Sequence, residues 1–450
     1  MRHPGRIAII GAGPCGLGAA YRLAELGYDD FVVYERESEA GGLAASVEDE
    51  QGFVWDYGCH VLYSRSDYFN RVMDRELDGE WIEQPRDAQV WMHGRFVPYP
   101  LQYNVHNLPA DIRRDCVIGL AKAATRPAPS PEASFRDWIV NAFGEGLARH
   151  FMLPYNEKVW AHPLETMQFG WIAERVPRPD LVRVLANLLD GKDDDGWGPN
   201  ARFRYPAKGG IGRIWRRVAD RVGRDWFRFG RAAVRIDSRA RRIDFADGSG
   251  DRYDTLVSTM PISRLVDLSD CNALKPVAAR LSSSNVHVVG LGIAGELPYW
   301  LMGRKWIYFA DPTLPFYRVT VLSNFAPANA PAEHWSLLAE ISHSKYRPVD
   351  AASVVEDVIA GFLREGLIPA GAPIVSRFHH VAAPGYPTPT LLRDEALSTL
   401  RDALERLDIH CRGRFGAWRY EIANQDHCFL QGAELAGRLI HSEPEPTFTS

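Results

Sequence analysis

The sequence predicts an α/β chain in three interleaved parts: a Rossmann-like nucleotide-binding domain, an inserted helical domain and an antiparallel β-sheet domain. Three observations predict it. An apolar run, a glycine-rich turn and a helical stretch follow one another within the first twenty-six residues. From residue 107 to about 190 the apolar spacing is helical. Between residues 286 and 341, runs rich in Val, Tyr and Trp recur between polar turns, as in an antiparallel sheet.

The first unit carries the strongest signal. Ile7-Ala8-Ile9-Ile10 reads as a short buried strand, Gly11, Gly13 and Gly16 give G-x-G-x-x-G, and residues 17–26 read as the helix after it. A second apolar run, Phe31-Val32-Val33-Tyr34, ends at Glu35, nineteen residues past Gly16. Gly11 permits the tight turn, Gly13 lets backbone approach a pyrophosphate, and the helix start offers unpaired N–H groups. Glu35 stands where a dinucleotide ribose needs a carboxylate. Arg36 and then Gly41-Gly42-Leu43 follow. A glycine pair just after the ribose acid resembles the second contact strip of FAD-dependent oxidase-like proteins, so FAD is preferred to NAD.

Composition bounds the rest. At 450 residues two or three domains are expected. With 46% hydrophobic and 24% charged residues, the chain reads as globular with ample core. A net charge of -5 argues against nucleic acid or a membrane surface as main partner, and no apolar run approaches a membrane span. The chain enters its first strand almost at once, so no export signal is expected. Six scattered cysteines without C-x-x-C fit reduced thiols and a cytoplasmic location. Fourteen histidines show no zinc spacing, so no metal is expected.

Along the chain, 53–56 is strand-like, and 90–92 with 95–99 read as a hairpin about His93-Gly94. Ser134 with Asp137 marks a helix start, and residues 151–156, with Pro154, read as that helix's end. Residues 191–200 read as a polar loop, 213–222 as a helix, and 233–236, 242–245 and 254–261 as strands. Residues 354–363 form an amphipathic helix with Val354, Val355, Val358, Ile359, Phe362 and Leu363 on one face. A last helix is expected from about Cys428.

Taken together, blocks over nearly the whole chain resemble the UDP-galactopyranose mutases, in their eukaryotic-type branch. They are Gly-Cys-His-Val at 58–61, Val-Pro-Tyr-Pro-Leu-Gln at 97–102, Pro-Tyr-Asn-Glu-Lys-Val-Trp at 154–160, Glu-Arg-Val at 174–176, Trp-Gly-Pro-Asn at 197–200, Pro-Phe-Tyr-Arg at 315–318, Gly-Tyr-Pro-Thr-Pro-Thr at 385–390 and Gly-Arg-Phe-Gly-Ala-Trp-Arg-Tyr-Glu at 413–421, with Asn-Gln-Asp-His at 424–427. The resemblance implies an FAD-binding domain from 1–88, 199–262 and 386–450, a sheet domain from 89–105 and 263–385, and a helical domain at 106–198. It implies pyranose/furanose isomerisation of a nucleotide-linked sugar, UDP-galactose or a relative. Reduced FAD N5 would be the nucleophile at the anomeric carbon, the reaction would be redox-neutral overall, and NADPH or NADH would reduce the flavin. A monomer or small homo-oligomer is expected.

The resemblance also assigns residues. Arg175 and Arg318 match two pyrophosphate arginines, suited to the task because a guanidinium stays charged and binds phosphate oxygens bidentately. The His60 carbonyl would face reduced N5–H, with Gly58 and Val61 beside it. Arg414, Asn424 and Gln425 match flavin-side contacts, and Val234 a backbone contact to the adenosine half. Tyr99, Gln102, Phe151, Met152, Asn156 and Trp160 would enclose the uridine. Tyr386 and Tyr420 would touch diphosphate and sugar, Trp306 and Tyr308 would lie near the substrate, and Asn200 would complete a closing loop. Four positions depart from the pattern: Cys59 replaces a glycine, Arg65 a histidine, Leu101 a phenylalanine and Phe325 a tyrosine. Two other readings share the fold: an oxidase of the amine-oxidase or protoporphyrinogen-oxidase kind, and a sugar-nucleotide-binding flavoprotein without turnover.

Overall fold

A computed structural model describes residues 4–175, 178–194 and 201–449, without the side chains of 173–175. Strand Ile7–Ile10 is fully buried and feeds helix Pro14–Glu25, which returns the chain to strand Phe31–Tyr34. These strands lie in a five-stranded sheet of order Ile409–Cys411, Thr255–Ser258, Ile7–Ile10, Phe31–Tyr34, Phe227–Arg228. Every pairing in it is parallel. A parallel sheet needs both faces covered. Helices Pro14–Glu25 and Gln425–His441 pack on one face, and residues from 233–281 with helix Arg393–Glu405 cover the other.

The second sheet has seven strands: Ile374–Thr388, Ser282–Ala294, His334–His343, Arg318–Val321, Trp306–Phe309, Ala88–Met92 and Arg95–Pro98, in that order. Its pairings are antiparallel except between Trp306–Phe309 and Ala88–Met92. The parallel pair joins segments about two hundred residues apart, whose connection includes the helical segment; parallel neighbours require such a crossover. Helix Val354–Arg364 packs on one face of this sheet with Val354, Val358, Ile359 and Phe362 buried. Leu363, expected on that face, is 45% exposed. Phe53 and Trp55 press on the other face.

In the helical segment, Ser134 caps helix Phe135–Leu147 in a reciprocal capping box with Asp137. Three helix boundaries differ from expectation, the first being the start of helix Pro14–Glu25 three residues before Leu17. Residues 151–156 do not end a helix: a π-turn spans Ala148–Met152, and helix Leu153–Trp160 runs on through Asn156. Pro154 falls in its first turn, where no backbone donor is needed. The last helix begins at Gln425, with Asn424 at its N-cap position, three residues before Cys428.

The large sheet carries three neighbouring histidines, of which His287 and His379 are stacked. His287 Nδ1 lies 2.8 Å from His379 Nε2, and the His287 and His343 rings are 4.4 Å apart. Burial, with His343 and His379 adding to it, pushes the His287 imidazole down from 6.5 to about 4. Between those values the unfolded chain binds a proton that the folded chain refuses. Its contribution to stability is therefore present above pH 6.5 and lost as pH falls toward 4. Urea midpoints measured from pH 7 to 4 are expected to fall across this window. His287→Gln should flatten that slope; a variant with an unchanged slope would contradict the assignment.

Candidate active site

The dinucleotide end is built from local sequence. Gly11 sits at φ +101°, where a side chain would strain the turn, and a Cβ on Gly16 would lie 1.8 Å from the Gly11 carbonyl oxygen. Gly13 faces the second glycine strip, its Cβ position 3.8 Å from Gly42 Cα. The Gly41 N–H donates to the Ala12 carbonyl at 2.9 Å, fastening that strip to the turn. Helix Pro14–Glu25 has no side-chain cap and no acid in its first turn, so its N-terminal N–H groups are free of competing protein charge. Glu35, 7% exposed, accepts the Ala12 N–H at 2.6 Å and the Glu37 N–H at 3.0 Å. Such a cradle of close backbone, helix N-terminus and oriented carboxylate fits an adenine dinucleotide. Leu43 is half-buried beside it, Arg36 is exposed against Glu37, and Val234 lies exposed on strand Ala233–Asp237.

The other end lies on the large sheet. Tyr308, Arg318 and Glu340 are directly paired across three adjacent strands. Arg318 Nε donates to Glu340 Oε2 at 2.6 Å, and its Nη2 contacts the same oxygen. Burial is the largest single influence and opposes the Arg318 charge, but Glu340, Tyr317, Tyr386 and Cys59 together outweigh it and hold the pKa above the ordinary range. Tyr317 Oη donates to Glu340 Oε2 at 3.1 Å and lies 3.1 Å from Tyr386 Oη. Burial pushes the Tyr386 phenol up to about 12, so its proton stays on. Glu340 Oε1 accepts the Cys59 N–H at 3.0 Å, which ties the 58–61 block to this row.

Around that row the expected residues gather. His60 Nδ1 lies 2.9 Å from the Gly58 carbonyl; burial first, and Arg414 second, push the imidazole down to about 4, so it is neutral. Arg414 donates to the Gly385 carbonyl through Nε and Nη2 at 3.1 and 3.0 Å and lies over the Tyr386 and Tyr420 rings. Gln425 reaches the Val61 carbonyl at 3.4 Å and accepts from Trp215 Nε1 at 2.8 Å, next to Asn424 at the helix start. Trp160 stands edge-on to Tyr420, 5.0 Å between centroids, and 5.9 Å from Tyr386. Farther along, Tyr308 meets Tyr99 at 5.2 Å and Tyr155 at 5.6 Å, and Phe151 stacks on Tyr155. Asn156 donates to the Met152 carbonyl at 2.7 Å within the π-turn, and Gln102 is buried in the turn Leu101–Tyr103.

The side chain of Arg175, and Asn200, lie outside the described residues. Of the departures, two meet at one ring: Trp306 Nε1 donates to Cys59 Sγ at 3.1 Å and packs edge-on to buried Phe325 at 5.1 Å. Burial pushes the Cys59 thiol up to about 12. Leu101 is buried and Arg65 exposed. Glu340, Tyr317 and Tyr155 are site residues that sequence reasoning missed. The signal for Glu340 was one acid within Leu337-Leu338-Ala339-Glu340-Ile341. Among the described residues there is no metal-binding cluster and no helix long and apolar enough to cross a membrane.

Comparison with known proteins places this geometry. The profile of the family described as flavin containing amine oxidoreductase matches residues 14–336. A solved structure of reduced UDP-galactopyranose mutase shares 41% identity, covers 99% of this chain and 96% of its own, and superposes with a TM-score of 0.96. A putative protoporphyrinogen oxidase from Exiguobacterium shares 14% identity over 98% of this chain and 99% of its own, with a TM-score of 0.75, which shows the fold alone. Among curated proteins the matches are short. Mitochondrial protoporphyrinogen oxidase of Nicotiana tabacum is 44% identical over 57 residues, 13% of this chain and 11% of its own length. The chain belongs to the flavin-containing amine oxidoreductases and, within that FAD-binding fold, to the UDP-galactopyranose mutase family.

Proposed function

We propose that the chain interconverts the pyranose and furanose forms of UDP-galactose or a closely related nucleotide sugar, using reduced FAD kept reduced by NADPH or NADH. The observation that carries this reading is the transverse row Tyr308–Arg318–Glu340: a partly buried, oriented guanidinium beside an aromatic wall, at one end of an FAD-type cradle. When bound, reduced flavin supplies a nucleophile for the anomeric carbon, so that the nucleoside diphosphate can leave and return.

The protein's work is positional and electrostatic. Arg318 carries a charge that does not titrate in the working range, and the departing diphosphate needs such a partner. The Tyr386 hydroxyl, protonated and 3.1 Å from Tyr317, is a neutral donor for phosphate or sugar oxygen. Tyr99, Tyr155 and Phe151 offer rings for a uracil and exclude water from it. Neutral His60, turned onto the Gly58 carbonyl, adds no charge beside the cofactor. Arg414 holds the carbonyl next to Tyr386 and so fixes that tyrosine's strand. Arg175 and Asn200 belong to the reading through the resemblance.

The test is direct. Purified protein is mixed with UDP-galactofuranose, with and without dithionite or NADPH. Conversion to the pyranose only under reduction is the expected result. Peroxide formed at the expense of oxygen, with no sugar converted, would instead favour an oxidase.

A further inference from the structure

Glu340 is the acid in the buried core of strand His334–His343, and it is 3% exposed. Its two oxygens are fully engaged. Oε2 receives Arg318 and the Tyr317 hydroxyl, and Oε1 receives the Cys59 backbone N–H. Through these contacts one carboxylate joins three parts of the site: the 58–60 segment, the row arginine, and, by way of Tyr317, the Tyr386 hydroxyl. Stability alone does not account for it, because a buried ion pair is often no better than an apolar pair of equal volume. The geometry has a direction as well. Glu340 takes Nε and Nη2 of Arg318, while among the described residues Nη1 has no hydrogen-bond partner, and the side chain keeps 21% exposure.

We propose that Glu340 is the positioning residue of the mutase site. It fixes the plane of Arg318 so that Nη1 faces the diphosphate, and its negative charge offsets part of the guanidinium charge. The inference rests on the function proposed above. Its physical content is a separation of two effects. Orientation favours the transition state, in which charge develops on the leaving diphosphate. Partial neutralisation weakens the grip on a diphosphate that is already fully charged, so the released group can return to the sugar. The same carboxylate, one N–H away from the segment beside the flavin, also disfavours the negative charge of the reduced cofactor.

The experiment compares Glu340→Gln and Glu340→Asp with the parent holoenzyme. Glu340→Gln keeps the size and loses the charge. It is expected to lower kcat at least about tenfold while UDP binds at least about threefold more tightly, and the bound flavin should be reduced at a higher potential. Glu340→Asp keeps the charge and shortens the reach. It should hold UDP affinity and flavin potential near the parent values while kcat falls. A merely structural role predicts that UDP affinity, kcat and melting temperature all decline together in both variants, and that result would overturn the proposal. Unchanged kcat, affinity and potential would overturn it too. If Glu340→Gln does not fold, the aspartate variant decides through its split between kcat and UDP affinity. A parent that binds FAD and UDP but converts no sugar would sink the proposed function instead, while UDP affinity and flavin potential would still report on Glu340.

Discussion

Arg318→Ala is expected to lower turnover by roughly 10²–10³-fold, the loss found when one preorganised donor to a developing oxyanion is removed. The size of the effect follows from partial burial: a guanidinium in a site walled by Tyr308, Tyr317 and Tyr386 acts through a lower dielectric than water. The same substitution strands Glu340, which is 3% exposed. An uncompensated buried charge costs about 3–5 kcal/mol. Activity loss from poor folding must therefore be separated from activity loss through chemistry. The double variant Arg318→Ala with Glu340→Gln does this. Its melting temperature should recover toward the parent, with FAD retained, while conversion of UDP-galactofuranose stays low. Recovery of turnover along with stability would show that Arg318 is structural.

The second large effect is expected far from the sugar. Helices Pro14–Glu25 and Gln425–His441 cross so closely that a Cβ on Gly432 would lie 1.9 Å from the Cys15 carbonyl oxygen and 2.7 Å from the Ala19 nitrogen. Both clashing atoms are backbone, so no side chain can turn aside. Gly432→Ala must push the helices apart, at about 1–3 kcal/mol for an overpacked contact. The two helix starts carry the dinucleotide turn and the Asn424–Gln425 pair, so their separation opens the cradle at both ends. The variant should purify with little flavin absorbance and melt earlier than the parent. A yellow variant with the parent's FAD content would refute the coupling of this crossing to cofactor binding.

The dinucleotide unit was legible because its determinants are local. Gly11, Gly13, Gly16 and Glu35 act through a turn, a helix start and a strand end within thirty residues. The row on the large sheet was not legible in that way. Arg318 and Glu340 face each other only through strand register, and a lone acid among Leu, Ala and Ile looks misplaced until its partner across the ladder is known. Strand Ile374–Thr388 escaped because it is an edge, and exposed Arg377 and His379 interrupt its apolar pattern. Tyr386 at its far end was therefore assigned by resemblance and not by period. Pro154 misled in the opposite direction, because proline in a first turn starts a helix as readily as it stops one.

The π-turn at Ala148–Met152 has a consequence for any change of length there. Such a turn holds an extra residue within the winding of a helix, and each residue of a regular helix accounts for about 100° of rotation. Deleting one residue from it would leave regular winding from Glu145 to Trp160, beyond the kink at Gly144, with no loss visible to circular dichroism. It would also swing Asn156 and Trp160 about a quarter-turn around the axis, taking Trp160 away from Tyr420. The irregularity thus works as a phase setting: one surplus residue fixes which way the next two turns face, and with them the placing of Trp160 against Tyr420.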